Sequence, residues 1–105
     1  MPSELFREIR KFEIRLKDWL DMVGKLSDAL QRSVDALKEF NLILDEQSKY
    51  GRDEVVKAYV KVVEALAEVL RLEGEAEHER SHLMESYSSM MRKIASLYVK
   101  VKSDD

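Results

Sequence analysis

The sequence predicts an all-α protein of two long antiparallel helices, a helical hairpin or coiled coil that dimerises into a four-helix bundle. Three observations support this fold class. Helix-breaking residues are scarce, with one proline and three glycines in 105 residues. Charged residues make up 37% of the chain, as is typical of long helices. Apolar residues recur at spacings of three and four, and one short polar stretch divides that pattern into two halves.

The first helix is predicted over residues about 3–47, with Ser3 as its N-cap and Pro2 just before it. Eleven of twelve positions on its predicted inner seam are apolar, which is a strong heptad signal. That seam comprises Leu5, Ile9, Phe12, Leu16, Trp19, Val23, Leu26, Leu30, Ser33, Leu37, Phe40 and Leu44.

A turn is predicted over residues about 48–52, around Gly51, and Asp53 then caps a second helix over about 53–102. The short turn makes the helices antiparallel, with Leu44 near Val55. The whole chain, 1–105, is read as a single helical domain. The predicted seam of the second helix comprises Val55, Tyr59, Val62, Leu66, Val69, Glu73, Ala76, Arg80, Leu83, Tyr87, Met90, Ile94, Leu97 and Val101.

A further apolar row lies outside both seams, so each helix has a stripe as wide as that of a helix in a bundle. Exposed apolar surface of that extent usually marks an interface. We therefore expect a homodimer, or assembly with a related helical protein. The alternative is a compact monomer whose helices break near Gly24 and Gly74. The predicted interface consists of Val56, Val63, Leu70, Met84, Met91 and Tyr98 on the second helix, with Leu20 and Val34 on the first.

The stretch HERSH, His78 to His82, matches the H-E-x-x-H pattern of zinc hydrolase helices. In the predicted phase, however, His78 is outermost and His82 lies on the adjacent polar row. A third ligand is also missing, because Glu85 and Ser88 stand where the metzincin extension has glycine and histidine. The sequence therefore predicts no metal, no cofactor, no small-molecule substrate and no enzyme. Metal binding by the two histidines is a remote alternative.

Two charged residues, Glu73 and Arg80, fall on the predicted inner seam, where the register places Trp19 opposite them. Arg80 is positioned to stack on Trp19 as a cation–π pair. A polar seam of this kind fixes helix register at a cost in stability. The alternative is a bundle that is open and hydrated at this level.

Net charge and the N-terminal sequence further limit the functions and locations to be expected of this protein. The net charge of −3 argues against a general nucleic-acid binder, and the chain contains no cysteine. The N-terminus lacks the apolar core of a signal peptide, so a cytoplasmic protein is expected. Antiparallel pairing also gathers cations at the open end of the hairpin, where they are candidates for contact with anionic lipid. These are Arg7, Arg10, Lys11, Arg15, Lys17, Arg92 and Lys93.

The stretch DALKEFNLILDEQ, a short turn and the stretch from AYVKVVEALAEVLRLEGEAEHERSH to SLYVKV together resemble the first two helices of a BAR domain of the sorting-nexin type. The most similar part is the rhythm K-V-x-E-x-x-x-x-x-L-R-x-E-G, Lys61 to Gly74. The resemblance implies a dimeric helical bundle that binds endosomal membranes during cargo sorting. The chain departs from that family in having no phosphoinositide-binding PX domain and room for only two of the three BAR helices.

Taken together, these patterns predict a non-enzymatic, self-associating helical scaffold in membrane trafficking, cytoplasmic or peripheral on endosomal membranes. The alternative is a compact helical adaptor that binds a partner helix and has no membrane role.

Overall fold

The computed structural model describes the backbone of residues 2–104 and the side chains of residues 3–46 and 48–100. Helix α1 spans Pro2–Asp45, a 3-10 turn spans Gln47–Lys49, and helix α2 spans Arg52–Asp104. No strand occurs within residues 2–104. The predicted all-α hairpin of two long helices is confirmed. Both helices are continuous through Gly24 and Gly74. The alternative of a compact monomer whose helices break near these glycines is therefore excluded.

The start of α1 differs from the prediction by one residue. The helix begins at Pro2, so Ser3 lies in its first turn instead of capping it. Proline suits the first helical position because its fixed φ is already helical and its missing N–H would have had no intrahelical acceptor. Glu4 also lies in this turn, where its carboxylate favours the positive end of the helix dipole.

The start of α2 is capped by Gly51 and not, as predicted, by Asp53. The Gly51 carbonyl accepts the N–H groups of Glu54 and Val55, at 3.2 and 3.3 Å. Gly51 therefore occupies the N-cap position, and Asp53 lies in the first turn, where its charge still favours the dipole. The turn before it is closed by a bond of 2.9 Å from the Lys49 N–H to the Glu46 carbonyl.

The chain divides into two compact units. One spans Val23–Glu75 and contains the turn; we call it the turn unit. The other combines residues up to Met22 with those from Ala76 onward; we call it the terminal unit. Each unit consists of one segment of α1 packed against one segment of α2.

The core of the turn unit is built from small and medium side chains. The Ser33 hydroxyl is buried among them and donates a 3.0 Å hydrogen bond to the Ala29 carbonyl, one turn back along α1. Small residues allow two helix backbones to approach closely. The other buried residues of this unit are Ala29, Ile43, Ala58, Val62 and Leu72.

This core corrects half of the predicted seam. The row shared with the prediction, represented by Ser33 and Val62, does face the other helix. The second contact row on α1, however, contains Ala29 and Ile43. The prediction placed Leu30 and Leu44, one residue further along the chain, at that position. The predicted second row lies about 100° away around the helix and is exposed. In the turn unit it comprises Val23, Leu30, Leu37 and Leu44 on α1, with Tyr59 and Leu66 on α2.

The terminal unit has fewer buried apolar residues, namely Met22, Ala76 and Leu83. The rings of Phe12 and Tyr87 meet with their centroids 6.0 Å apart. These contacts agree with the predicted antiparallel register, as does the Phe40–Tyr59 contact in the turn unit. Within residues 2–104, no helix has a segment both long and apolar enough to span a bilayer.

Candidate interaction surface

The turn unit has two chemically different flanks. On one flank the rings of Phe40 and Tyr59 meet, with centroids 6.1 Å apart. On the other, the Lys61 ammonium lies 3.8 Å from the Glu39 carboxylate. Because each residue turns a helix by about 100°, the rows that flank the contact on either side lie on opposite sides of the hairpin.

The flank that carries Tyr59 is apolar, and we call it the apolar flank. The leucine row of α1 runs along it, one turn from Phe40 in each direction. Exposed fractions range from 38% for Leu44 to 70% for Leu70, so none of these side chains is covered. The apolar flank of the turn unit comprises Val23, Leu30, Val34, Leu37, Leu44, Val56, Tyr59, Val63, Leu66 and Leu70.

The opposite flank is charged, and we call it the polar flank. The Arg71 guanidinium donates to the carboxylates of both Glu68 and Glu75, the latter at 2.8 Å. The hydrogen bond from Arg71 lowers the pKa of Glu68 below its ordinary value, and the same bond raises the pKa of Arg71. The positive charge of Arg32 also lowers the pKa of Glu68, by less than Arg71 does. Ion pairs between its own side chains therefore balance much of the charge on this flank.

The terminal unit also has an apolar flank. Tyr87, which contacts Phe12, belongs to a row of exposed apolar residues on α2. The apolar flank of this unit comprises Leu16, Leu20, Met84, Tyr87, Met91 and Ile94.

The structure leaves every predicted interface residue exposed, at fractions from 41% for Met91 to 70% for Leu70. The others are Val56, Val63, Met84, Tyr98, Leu20 and Val34. Exposure makes these side chains accessible to a partner, while assembly itself stays a prediction.

The predicted polar seam is not formed by Glu73 and Arg80. Both are exposed, because they belong to the row that lies about 100° away from the true contact row; Trp19 is half-buried. The polar groups that do face α1 in the terminal unit are Glu79 and Ser86. The Oε2 atom of Glu79 and the hydroxyl of Ser86 are buried and have no hydrogen-bond partner in the protein.

Of the two histidines of HERSH, His78 lies on the outside of α2 as predicted, whereas His82 is half-buried and lines a groove with Glu8 and Arg15 of α1. His78 is exposed and the side chain of His82 is 35% exposed. Their Nε2 atoms are 3.1 Å apart, and the Nδ1 atom of His82 lies 4.0 Å from Glu85 Oε2. No group of three or more His, Cys, Asp or Glu residues converges as a metal site in the described part of the chain.

The predicted basic end is partly neutralised by acids of its own unit. Lys93 lies 3.3 Å from Glu4, and this hydrogen-bonded pair lowers the pKa of Glu4 below its ordinary value. Lys11 lies 4.0 Å from Glu8. Among the other cations, Arg92 donates to the Ser88 carbonyl at 3.4 Å and Arg15 is half-buried, whereas Arg7, Arg10 and Lys17 are exposed.

The exposed leucine row is the part of the surface that sequence reasoning missed. The heptad pattern predicts that this row faces inward, because it is more hydrophobic than the alanine-bearing row that lies at the contact in the structure. Pairs of alanines seven residues apart, Ala29 and Ala36 on α1 and Ala58 and Ala65 on α2, are the sequence signal for a close helix–helix contact.

Comparison with protein-family models, with curated protein sequences and with solved structures finds no match to this chain. The resemblance to a BAR domain therefore rests on the quoted residues alone and stays a prediction.

Proposed function

We propose that this chain is a non-enzymatic helical scaffold that assembles with a second copy of itself through its apolar flanks. The observation that carries the proposal is the exposure of apolar residues on one side of the turn unit. Among the described residues, eight apolar side chains are buried, whereas twenty-four large apolar side chains are exposed. Ten of these exposed side chains lie together on the apolar flank of the turn unit, and a contiguous apolar patch of that kind usually marks an interface.

The surface area supports the same proposal. The accessible surface is 8200 Å² for a mass of 12.3 kDa. A folded monomer of that mass exposes about 6,100 Å², so the excess is roughly 2,000 Å². A standard interface covers about 800 Å² on each partner. The excess is thus large enough for a stable interface.

A second copy fits this surface in chemical character. Both helices contribute apolar rows to the apolar flank, and most charges of the turn unit lie on the polar flank. Glu73 is an exception, because it shares the row of Tyr59 and Leu66. A two-fold axis would bring two such flanks together as the four rows of a bundle core. The charged polar flanks would then remain in water.

The trafficking setting is a separate part of the prediction and depends on the BAR resemblance. Scaffold assembly does not require it, because the apolar flank contains none of the cations of the basic end.

Assembly is tested by the absolute mass in solution, measured by light scattering on a sizing column. The wild-type chain should give twice 12.3 kDa. Leu30→Glu should return the mass to that of one chain, because the dimer would bury two unpaired carboxylates at a cost of several kcal/mol each. The matched control is Leu42→Glu, since Leu42 is 63% exposed on the opposite side of α1.

A monomeric wild-type protein would overturn the proposal. So would a dimer that Leu42→Glu disrupts as strongly as Leu30→Glu does. If a folded monomer instead bound a helical peptide from another protein, and Leu30→Glu abolished that binding, the adaptor alternative would replace self-association.

A further inference from the structure

The chain contains two histidines, and the structure places both imidazoles at a single point on α2. His78 and His82 are one turn apart, and their rings stand at 89° to each other with centroids 4.5 Å apart. The Nε2 atoms face one another at 3.1 Å. In the absence of metal, this distance allows one neutral ring to donate a hydrogen bond to the other.

The same distance suits two ligands of one metal ion. Zn–N bonds to histidine are about 2.0–2.1 Å long. Two such bonds that meet at between about 90° and the tetrahedral angle have their nitrogens roughly 2.9–3.4 Å apart. The observed 3.1 Å separation falls inside that range, so the two side chains need little movement to chelate an ion.

A carboxylate lies behind one of the two rings. Glu85 Oε2 is 4.0 Å from His82 Nδ1, the nitrogen that faces away from His78. Histidines that bind metals commonly donate their second ring N–H to such a carboxylate, which orients the ring and makes the ligating nitrogen more basic. At 4.0 Å the two groups are not hydrogen-bonded, so Glu85 is a candidate orienting group that must move closer to His82, and it is not a third ligand.

We propose that His78 and His82 bind one divalent late transition-metal ion, such as Zn²⁺, through their Nε2 atoms. Imidazole nitrogen is a preferred ligand for zinc, copper and nickel. The remaining coordination positions face solvent and are filled by water. The site reverses the sequence-based expectation of no metal, and it is independent of the assembly through the apolar flank.

This arrangement binds a metal without forming the centre of an H-E-x-x-H hydrolase. Glu79, which would act as the base, is directed towards α1, and its Oε2 atom is buried there. In the described part of the chain no third side chain joins the two histidines as a ligand. The bound ion would instead link two successive turns of α2 in the terminal unit.

The test is calorimetric titration of the full chain, freed of metal by a chelator, with ZnCl₂. One Zn²⁺ per chain is expected. His78→Ala and His82→Ala should each weaken binding by about 100-fold, because a single imidazole loses the advantage of chelation. Glu85→Gln should weaken it by roughly 10-fold, through His82. Both imidazoles should shift in nitrogen NMR spectra of the wild-type protein when zinc is added.

A spacing variant provides the matched control. Arg80→His combined with His82→Ala keeps two exposed histidines but places them about 200° apart around α2, where they cannot share an ion. Its zinc affinity should fall to that of the single-histidine variants. Wild-type affinity in this variant, or zinc binding by the wild-type protein that neither histidine affects, would overturn the proposal. Helix content from circular dichroism confirms that each variant is folded.

Discussion

At the scale of single residues, small side chains decide which face of each helix is buried. Ala29, Ser33 and Ala58 lie where the two helices of the turn unit meet, and each is at most 4% exposed. Their size allows the backbones to approach, and this directs the bulkier leucine row of α1 to the apolar flank. The buried hydroxyl of Ser33 is satisfied within its own helix, so it requires nothing from α2.

Ala29→Leu should therefore destabilise the protein although it makes the sequence more hydrophobic. Ala29 is 1% exposed, so the added carbons meet packed neighbours and force the helices apart. Overpacking of this kind costs about 1–3 kcal/mol. The free energy of unfolding, measured by urea denaturation at fixed protein concentration, should fall by that amount.

Ala67→Leu is the control for this substitution, because Ala67 undergoes the same chemical change on the exposed surface of the same unit. Its effect should stay within about 0.5 kcal/mol of zero. Equal losses at Ala29 and Ala67 would show that the alanine-bearing row is not the contact row.

At the scale of helices and turns, glycine has different roles in the helix interiors and at the turn. Gly24 and Gly74 lie inside continuous helices, and a Cβ added at either would meet no atom within 4 Å. Their replacement by alanine should stabilise the protein by about 0.5–1 kcal/mol each, because alanine loses less backbone entropy on folding. Thermal and urea unfolding of the single and double variants measure this gain.

The same substitution at Gly51 should have the opposite sign. Gly51 is the N-cap of α2, a position where alanine is strongly disfavoured relative to glycine. Gly51→Ala should destabilise the protein by roughly 0.5–1 kcal/mol.

A loss of stability on replacing Gly24 or Gly74 would mean that these glycines serve a bend or a close contact after all.

The helices and their pairing could be predicted from the sequence, whereas the face that pairs could not. Heptad spacing and scarce breakers determine long helices, and the turn around Gly51 determines an antiparallel register. Two neighbouring rows of α1 could form the contact, and choosing the more hydrophobic one gives the wrong row. Rows through Ala29 and through Leu30 both follow the heptad, and the less hydrophobic row packs more closely. Glu73 and Arg80 were misplaced for the same reason, since their position follows from the phase of the contact.

At the scale of the whole molecule, the hairpin leaves more large apolar side chains exposed than buried among its described residues. An interface of standard size would remove about 800 Å² of this surface from water on each chain. In the proposed dimer, stability and association are coupled, because the second copy would supply part of the apolar burial.

This coupling predicts a thermal midpoint that rises with protein concentration. For a dimer that unfolds to two chains, a tenfold increase in concentration favours the folded state by about 1.4 kcal/mol per dimer, or roughly 0.7 per chain. A domain of this size shifts its midpoint by about 4–8 °C per kcal/mol, so a rise of roughly 3–6 °C is expected. Scanning calorimetry at two concentrations tenfold apart measures it. Leu42→Glu should keep that rise, whereas Leu30→Glu should lower the midpoint and make it independent of concentration. A wild-type midpoint that does not move with concentration would mean that the hairpin is stable without its second copy, and the apolar flank would then need another explanation.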